Sequence, residues 1–267
     1  MSKFSKQMAE KYKQTKKSSL LVYLILRGLI ITCMILQIVR GDWNNAVLCG
    51  LSLLLFTIPT FIEEKFKIAL PTVLEAIIYL FIFSAEILGE INNFYGNIPH
   101  WDTMLHTING FLVAGIGFSL VDLLNENIKS IHLSPAFVSI VAFCFSMTIG
   151  VLWEFLEYGA DMHLKYDMQK DYVINSISTV TLDPKEDNNA IKIEGIDHTI
   201  LYDADGNKLA IIEDGYLDIG IIDTMKDLFV NFIGAVAFST IGYVYIKDRE
   251  KYRFANHFIN TKVDNKK

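Results

Sequence analysis

The feature that most constrains this chain is a series of apolar blocks, each about as long as a bilayer is thick. They run over about 19–39, 44–61, 68–89, 103–124, 134–156 and 225–246. A hydrocarbon core about 30 Å thick takes roughly 20 residues of helix to cross. Backbone groups inside it find no water, so a crossing segment must bond them internally, as a helix does. A soluble chain of 267 residues could have a large apolar core, but would interleave those residues with polar ones at helical or strand period. Here they come in blocks, with 52% hydrophobic residues and a mean hydropathy of +0.33. The expected fold is an all-α polytopic membrane protein with about six transmembrane helices. The second block is the shortest and contains Pro59.

The net charge of −6 hides an uneven distribution. Residues 1–18 hold six lysines and one acid, Glu10; after Ile246 come seven Lys or Arg against three acids. Between Glu157 and Asp223 lie fifteen acids and five lysines. Positive short loops and tails belong in the cytoplasm. Both termini are therefore expected there, with the loops 62–67 and 125–132. The loops 41–44 and 90–102 and the acidic stretch are expected outside. Arg40 departs from this pattern and can sit at the outer headgroups. The chain then divides into a basic cytoplasmic tail (1–18), five helices with an outer extension (19–171), an insertion (172–218), a sixth helix (219–246) and a second basic tail (247–267). Topology accounts for the lysines, so no nucleic-acid partner is expected; the partner is the bilayer, with anionic headgroups near the tails. The first block is long enough to span and no small-residue cleavage site clearly follows, which argues against a cleaved signal peptide. Cys33, Cys49 and Cys144 fall inside apolar blocks and read as small buried residues. They make neither a disulfide framework nor a Cys-x-x-Cys pair.

The acidic insertion reads as a small β-rich extracytoplasmic element. Ile200–Tyr202, a turn over Asp203–Asn207, and Leu209–Ile212 form a hairpin pattern. Asp203-x-Asp205-Gly206-Asn207 invites a calcium reading, but an EF-hand loop places Gly sixth and Glu twelfth, and here Gly206 is fourth. A plain turn explains the same residues.

Ionisable residues inside spans are costly and therefore informative. Arg27 and Glu75 lie at equal depth from the inner side, where an ion pair is plausible as helix packing or, alternatively, as a coupling site. A second group gathers at the outer ends of four spans: Glu86 and Glu90; Asp102, His106 and Asn109; Glu154, Glu157 and Asp161; Asp223, Asp227 and Asn231. Spacings of three and four put each set on one helix face. Taken singly, such acids are most often caps or solvated side chains, and Asp102 and Asp223 sit at helix N-termini where the dipole favours them. Taken together they predict an acidic pocket open to the outside. Its deepest members are His106, Glu154, Glu157 and Asp227. Asp102, His106, Glu154, Glu157 and Asp227 are the expected ligands of a divalent cation (magnesium, manganese, calcium or zinc). Glu157 and Asp227 are the expected acid–base residues. Two other uses stay open: an acid–base pair without metal, and the vestibule of an ion or solute path. Trp101, Trp153 and Tyr158 at this level read as an interfacial belt, and Gly110, Gly115, Gly117, Gly150 and Gly234 as close helix contacts.

The segments Trp101-Asp102-x-x-x-His106-x-x-Asn109-Gly110, Trp153-Glu154-x-x-Glu157 and Asp223-x-x-x-Asp227-x-x-x-Asn231-x-x-Gly234 resemble the YjdF-like family of bacterial inner-membrane proteins. They also look distantly like VanZ-type proteins, which are associated with glycopeptide resistance and the cell envelope. The resemblance covers roughly the second half of the chain; residues 172–218 have no counterpart in it. It implies a polytopic protein of the bacterial inner membrane and supplies no reaction. The functional expectation is an envelope protein whose outer metal pocket acts on an amphiphilic or lipid-linked ligand. An ion-coupled transporter, or a scaffold or sensor that docks a protein partner through 172–218, are the alternatives.

Overall fold

The structure, a computed structural model, describes residues 3–66, 68–127, 132–164, 167–259 and 261–262. The expected inner-loop lysines Lys67 and Lys129 lie outside the described residues. The fold is mostly helical, with a small strand region. Among the described residues, six helices are long and apolar enough to cross a membrane: Ser19–Arg40, Trp43–Lys65, Thr72–Ile91, Trp101–Asn125, Pro135–His163 and Ile221–Lys247.

Helix α1 (Lys3–Arg40) continues the first span back through the basic segment. Gly41, at φ +77°, takes the left-handed conformation that lets the chain reverse. Asp42 then caps α2 (Trp43–Leu55), accepting the Asn45 N–H at 3.1 Å. The second span is interrupted: α2 ends in a turn at Phe56 and Thr57, and α3 (Ile58–Phe66) takes over. Pro59 falls in the first turn of α3, where its missing N–H breaks no helical bond. The third span changes pitch. After α4 (Thr72–Ile82) the chain runs as a π-helix over Phe83–Ile91. The Ser84 carbonyl there accepts the Trp101 indole N–H at 3.3 Å. A short α5 (Phe94–Asn97) leads to α6 (Trp101–Asn127), α7 (Pro135–Leu164) and α8 (Ile221–Lys247).

The chain forms two compact units, residues 1–150 with 228–267, and residues 151–227. The first unit holds two apolar clusters. One joins Leu26 and Ile30 of α1, Cys49 of α2, Leu74 and Ile78 of α4, and Leu112 of α6. The other joins Ala114 and Phe118 of α6, Val138 and Ala142 of α7, and Ala235 and Phe238 of α8. In this second cluster α6 and α8 cross at backbone contact. A Cβ on Gly110 would collide with the Asn231 carbonyl, and one on Gly234 with the Thr107 carbonyl. Ser146 of α7 donates its hydroxyl to the Gly110 carbonyl at 2.8 Å.

The expected Arg27–Glu75 ion pair does not form; hydroxyl groups serve both side chains instead. Glu75 accepts from Ser19 at 2.6 Å and from Tyr79 at 3.1 Å. Arg27 bonds the Tyr23 hydroxyl and lies over its ring. Tyr23 and Tyr79 pack together at 5.2 Å, so two phenols stand where a direct pair was expected.

Among its described residues the second unit carries three antiparallel strand pairs. β2 (Tyr172–Ile174) pairs with β7 (Tyr216–Asp218), β3 (Ser176–Thr179) with β4 (Ile191–Glu194), and β5 (His198–Tyr202) with β6 (Lys208–Glu213). The last pair is the hairpin read from the sequence.

The glycine contacts set a test. Gly234→Ala forces a methyl group into the Thr107 carbonyl and should cost about 1–3 kcal/mol, the usual penalty of overpacking. Gly28→Ala, with nothing within 4 Å of the added carbon, should leave stability unchanged. Reversible unfolding in mixed micelles would measure both.

Candidate functional site

Helix α6 sets out its polar residues over two turns. Asp102 and His106, four apart, face each other, with Oδ1 and Nε2 3.4 Å apart. That exceeds an ordinary hydrogen bond of about 2.7–3.2 Å. Asn109, one turn on, donates to Asn231 of α8 at 3.3 Å. Asn231 is buried and its amide also reaches the Met147 sulfur at 3.6 Å. Asp227 precedes Asn231 by four residues on the same helix. Among the described residues one group has the composition of a metal site. Asp102, His106 and Asp227 each offer a ligand atom, all within 4.8 Å of one another.

The second unit holds further acids of the predicted set. Glu154 and Glu157 are buried on α7, at 4% and 7% exposure. The Trp153 indole N–H donates to Glu157 at 2.7 Å, so this tryptophan has a polar contact that the belt reading had not supplied. Neither glutamate belongs to the three-residue group. Asp161 and Asp223 hold the turn that follows α7. Asp161 accepts the N–H groups of Met168 and Gln169, at 2.6 and 2.8 Å, and Asp223 that of Lys170 at 2.8 Å. Asp218 caps α8 through the Ile222 N–H at 2.9 Å. The Lys226 ammonium donates to the Tyr172 hydroxyl at 3.2 Å, a contact spanning fifty-four residues that no local pattern announces. Glu86 and Glu90, on the π-helix of the first unit, stand outside the metal-type group.

The Asp203 turn is a turn. Asp203 accepts the backbone N–H of Asp205 and Asn207 and the Asn207 side-chain amide, at 3.0, 2.7 and 3.0 Å. These bonds hold its carboxyl below the usual range, the Asn207 side chain acting most strongly. Asp183 is lowered in the same way, first by the Asn189 N–H and then by Lys185. Asp171 moves upward, through burial first and then the neighbouring Asp167, Asp161 and Asp218.

A family model described as Predicted membrane protein (DUF2238) matches residues 20–248. The chain belongs to this family. A DUF2238 assignment agrees with six apolar helices and names no reaction. A Thermotoga maritima protein described as uncharacterized is 30% identical over 90 residues, which span 33% of this chain and 45% of that relative. The match thus covers less than half the relative's length. No solved structure matches the chain.

The turn carboxylates predict a pH response of the insertion. A folded value below the unfolded one stabilises the turn fully above the ordinary carboxylate pKa, about 3.9. The contribution fades as pH falls through the lower folded value. Amide exchange at Asn207 and Asn189 should therefore stay protected at pH 5 and accelerate, relative to the rest of the insertion, as pH falls below about 3.9. Asp203→Asn should remove the pH dependence at Asn207.

Proposed function

We propose that this protein is a multi-pass bacterial inner-membrane protein that binds a divalent cation through Asp102, His106 and Asp227. Both termini are assigned to the cytoplasm, and the site and residues 172–218 to the outer side, from the charge asymmetry of the loops. The observation that carries the reading is the convergence of two carboxylates and an imidazole within 4.8 Å. Ligands about 2.1–2.6 Å from one ion lie at most about 4.2–5.2 Å apart, so the spread of the three fits a single ion. The 3.4 Å separation of Asp102 and His106 supports the same reading, because two ligands about 2.2 Å from an ion are that far apart at an angle of about 100°, between octahedral and tetrahedral values. Oxygen-rich donors favour magnesium, manganese or calcium, and the imidazole admits zinc.

Glu154 and Glu157, outside the three-residue group, are not assigned as ligands of the ion. Glu157, fixed by the Trp153 indole, is the proposed proton carrier, and the ion would polarise a phosphoryl oxygen or activate water. The ligand class that suits an outer-level site in a lipid-embedded protein is an amphiphile, such as a lipid-linked phosphate. The YjdF-like and VanZ-type resemblance points to the same envelope setting.

Metal analysis of the purified protein should find one divalent ion per chain. His106→Ala and Asp227→Asn should each weaken binding at least tenfold, while Asp203→Asn leaves it unchanged. A metal-free protein whose thermal stability ignores added cations would overturn the reading. A flux assay in proteoliposomes separates it from an ion-coupled carrier.

A further inference from the structure

The charge pattern treats the chain after Lys247 as a basic tail. In the structure its described part folds back into the first unit. The turn begins just past α8, where the N–H groups of Tyr252 and Lys251 bond Asp248, at 3.1 and 2.9 Å. Arg249 pins this turn to α6, bonding both oxygens of the buried Asp122 at 2.8 and 3.0 Å. Its guanidinium lies over the Tyr245 ring, 4.9 Å from the centroid. A 3-10 turn over Arg253–His257 follows.

Ala255 is fully buried and Ile259 nearly so, whereas Lys251, Arg253, Phe254 and His257 are exposed. Phe258 meets the ring of Phe111 edge-on at 5.4 Å. Beyond it, β8 (Thr261–Lys262) pairs antiparallel with β1 (Ile68–Ala69), in the link between α3 and α4. The 3-10 turn packs against α4, and β8 against α6. The segment's apolar side chains thus belong to the α6–α7–α8 cluster, while its backbone also meets α4 and the link before it. Phe111, which it touches, packs against both.

Depth gives the placement its meaning. Asp122 and Phe111 are eleven residues apart on one helix, about 16 Å at 1.5 Å per residue. The segment is anchored at the Asp122 level and has reached the Phe111 level nine residues later. Phe111 lies only five residues, about 7.5 Å, from His106.

We infer that residues 252–259, with the strand at 261–262, are a plug set into the seam between the two helix clusters, sealing the first unit from the Asp122 end. It gives the His106 end of α6 access from its own side only. This does not depend on a metal being bound.

The test uses full-length protein in liposomes, with the native cysteines replaced by alanine and Ala114, fully buried in the second cluster, replaced by cysteine. A membrane-impermeant maleimide is applied from the side on which a reference cysteine at Glu250 reacts. In the intact chain Cys-substituted position 114 should be unreactive. With Phe258→Ala and Ile259→Ala together, its labelling should rise at least tenfold. Ending the chain after Glu250 should do the same, and if that truncation does not fold, the double substitution decides alone. Equal rates in the intact and altered proteins, whether both fast or both silent while folded, would overturn the plug.

Discussion

Everything in the second helix cluster depends on one contact: the backbones of α6 and α8 touch. Within a bilayer, apolar side chains gain little by leaving lipid for protein, so helices associate through close packing and polar bonds. Gly110 and Gly234 supply the packing reciprocally, each lying against a carbonyl of the other helix. The Asn109–Asn231 bond supplies the polar part at the same level. Ser146 adds α7 to the crossing through the Gly110 carbonyl. A polar residue one turn along α6 and one on α8 inherit their relative height from this crossing. That is how a motif spread over more than a hundred residues acquires a fixed geometry.

The six spans were legible because crossing a bilayer is a bulk property. Transfer free energies add along about twenty residues, and no single neighbour decides the sum. The same property conceals the details. A sum is indifferent to hydrogen-bond phase, so neither the break between Leu55 and Ile58 nor the π-helix at Phe83–Ile91 leaves a mark in it. The inward return after Lys247 was hidden for a different reason. Its inserted apolar side chains are few, chiefly Ala255, Phe258 and Ile259, and most of their partners lie more than a hundred residues away. Arg27 and Glu75 were matched by their positions along the spans, which leaves out the tyrosine and serine hydroxyls that bond each of them in the fold.

The candidate site was legible to a similar extent. Helical spacing put Asp102 and His106 on one face, and the structure has them facing each other. The carboxylates were harder to sort, since spacing cannot tell which of them ties down a turn. Asp161 lies four residues from Glu157 and Asp223 four from Asp227, yet the oxygens of Asp161 and Asp223 take the N–H groups of residues 168–170. That distinction needs the path of the loop, which only the folded chain supplies.

The β2–β7 ladder has a consequence of its own. Tyr172 stands opposite Asp218, so the insertion leaves and re-enters its base on adjacent strands, about 5 Å apart. The two ends of the segment therefore lie side by side whatever the path of the chain between them. That path returns to its own base: the Thr199 hydroxyl of β5 donates to the Gly215 carbonyl at 2.8 Å, and the Ile196 N–H to the Asn175 carbonyl at 2.9 Å. A change of length in the distal hairpin would thus be felt at the foot of the ladder.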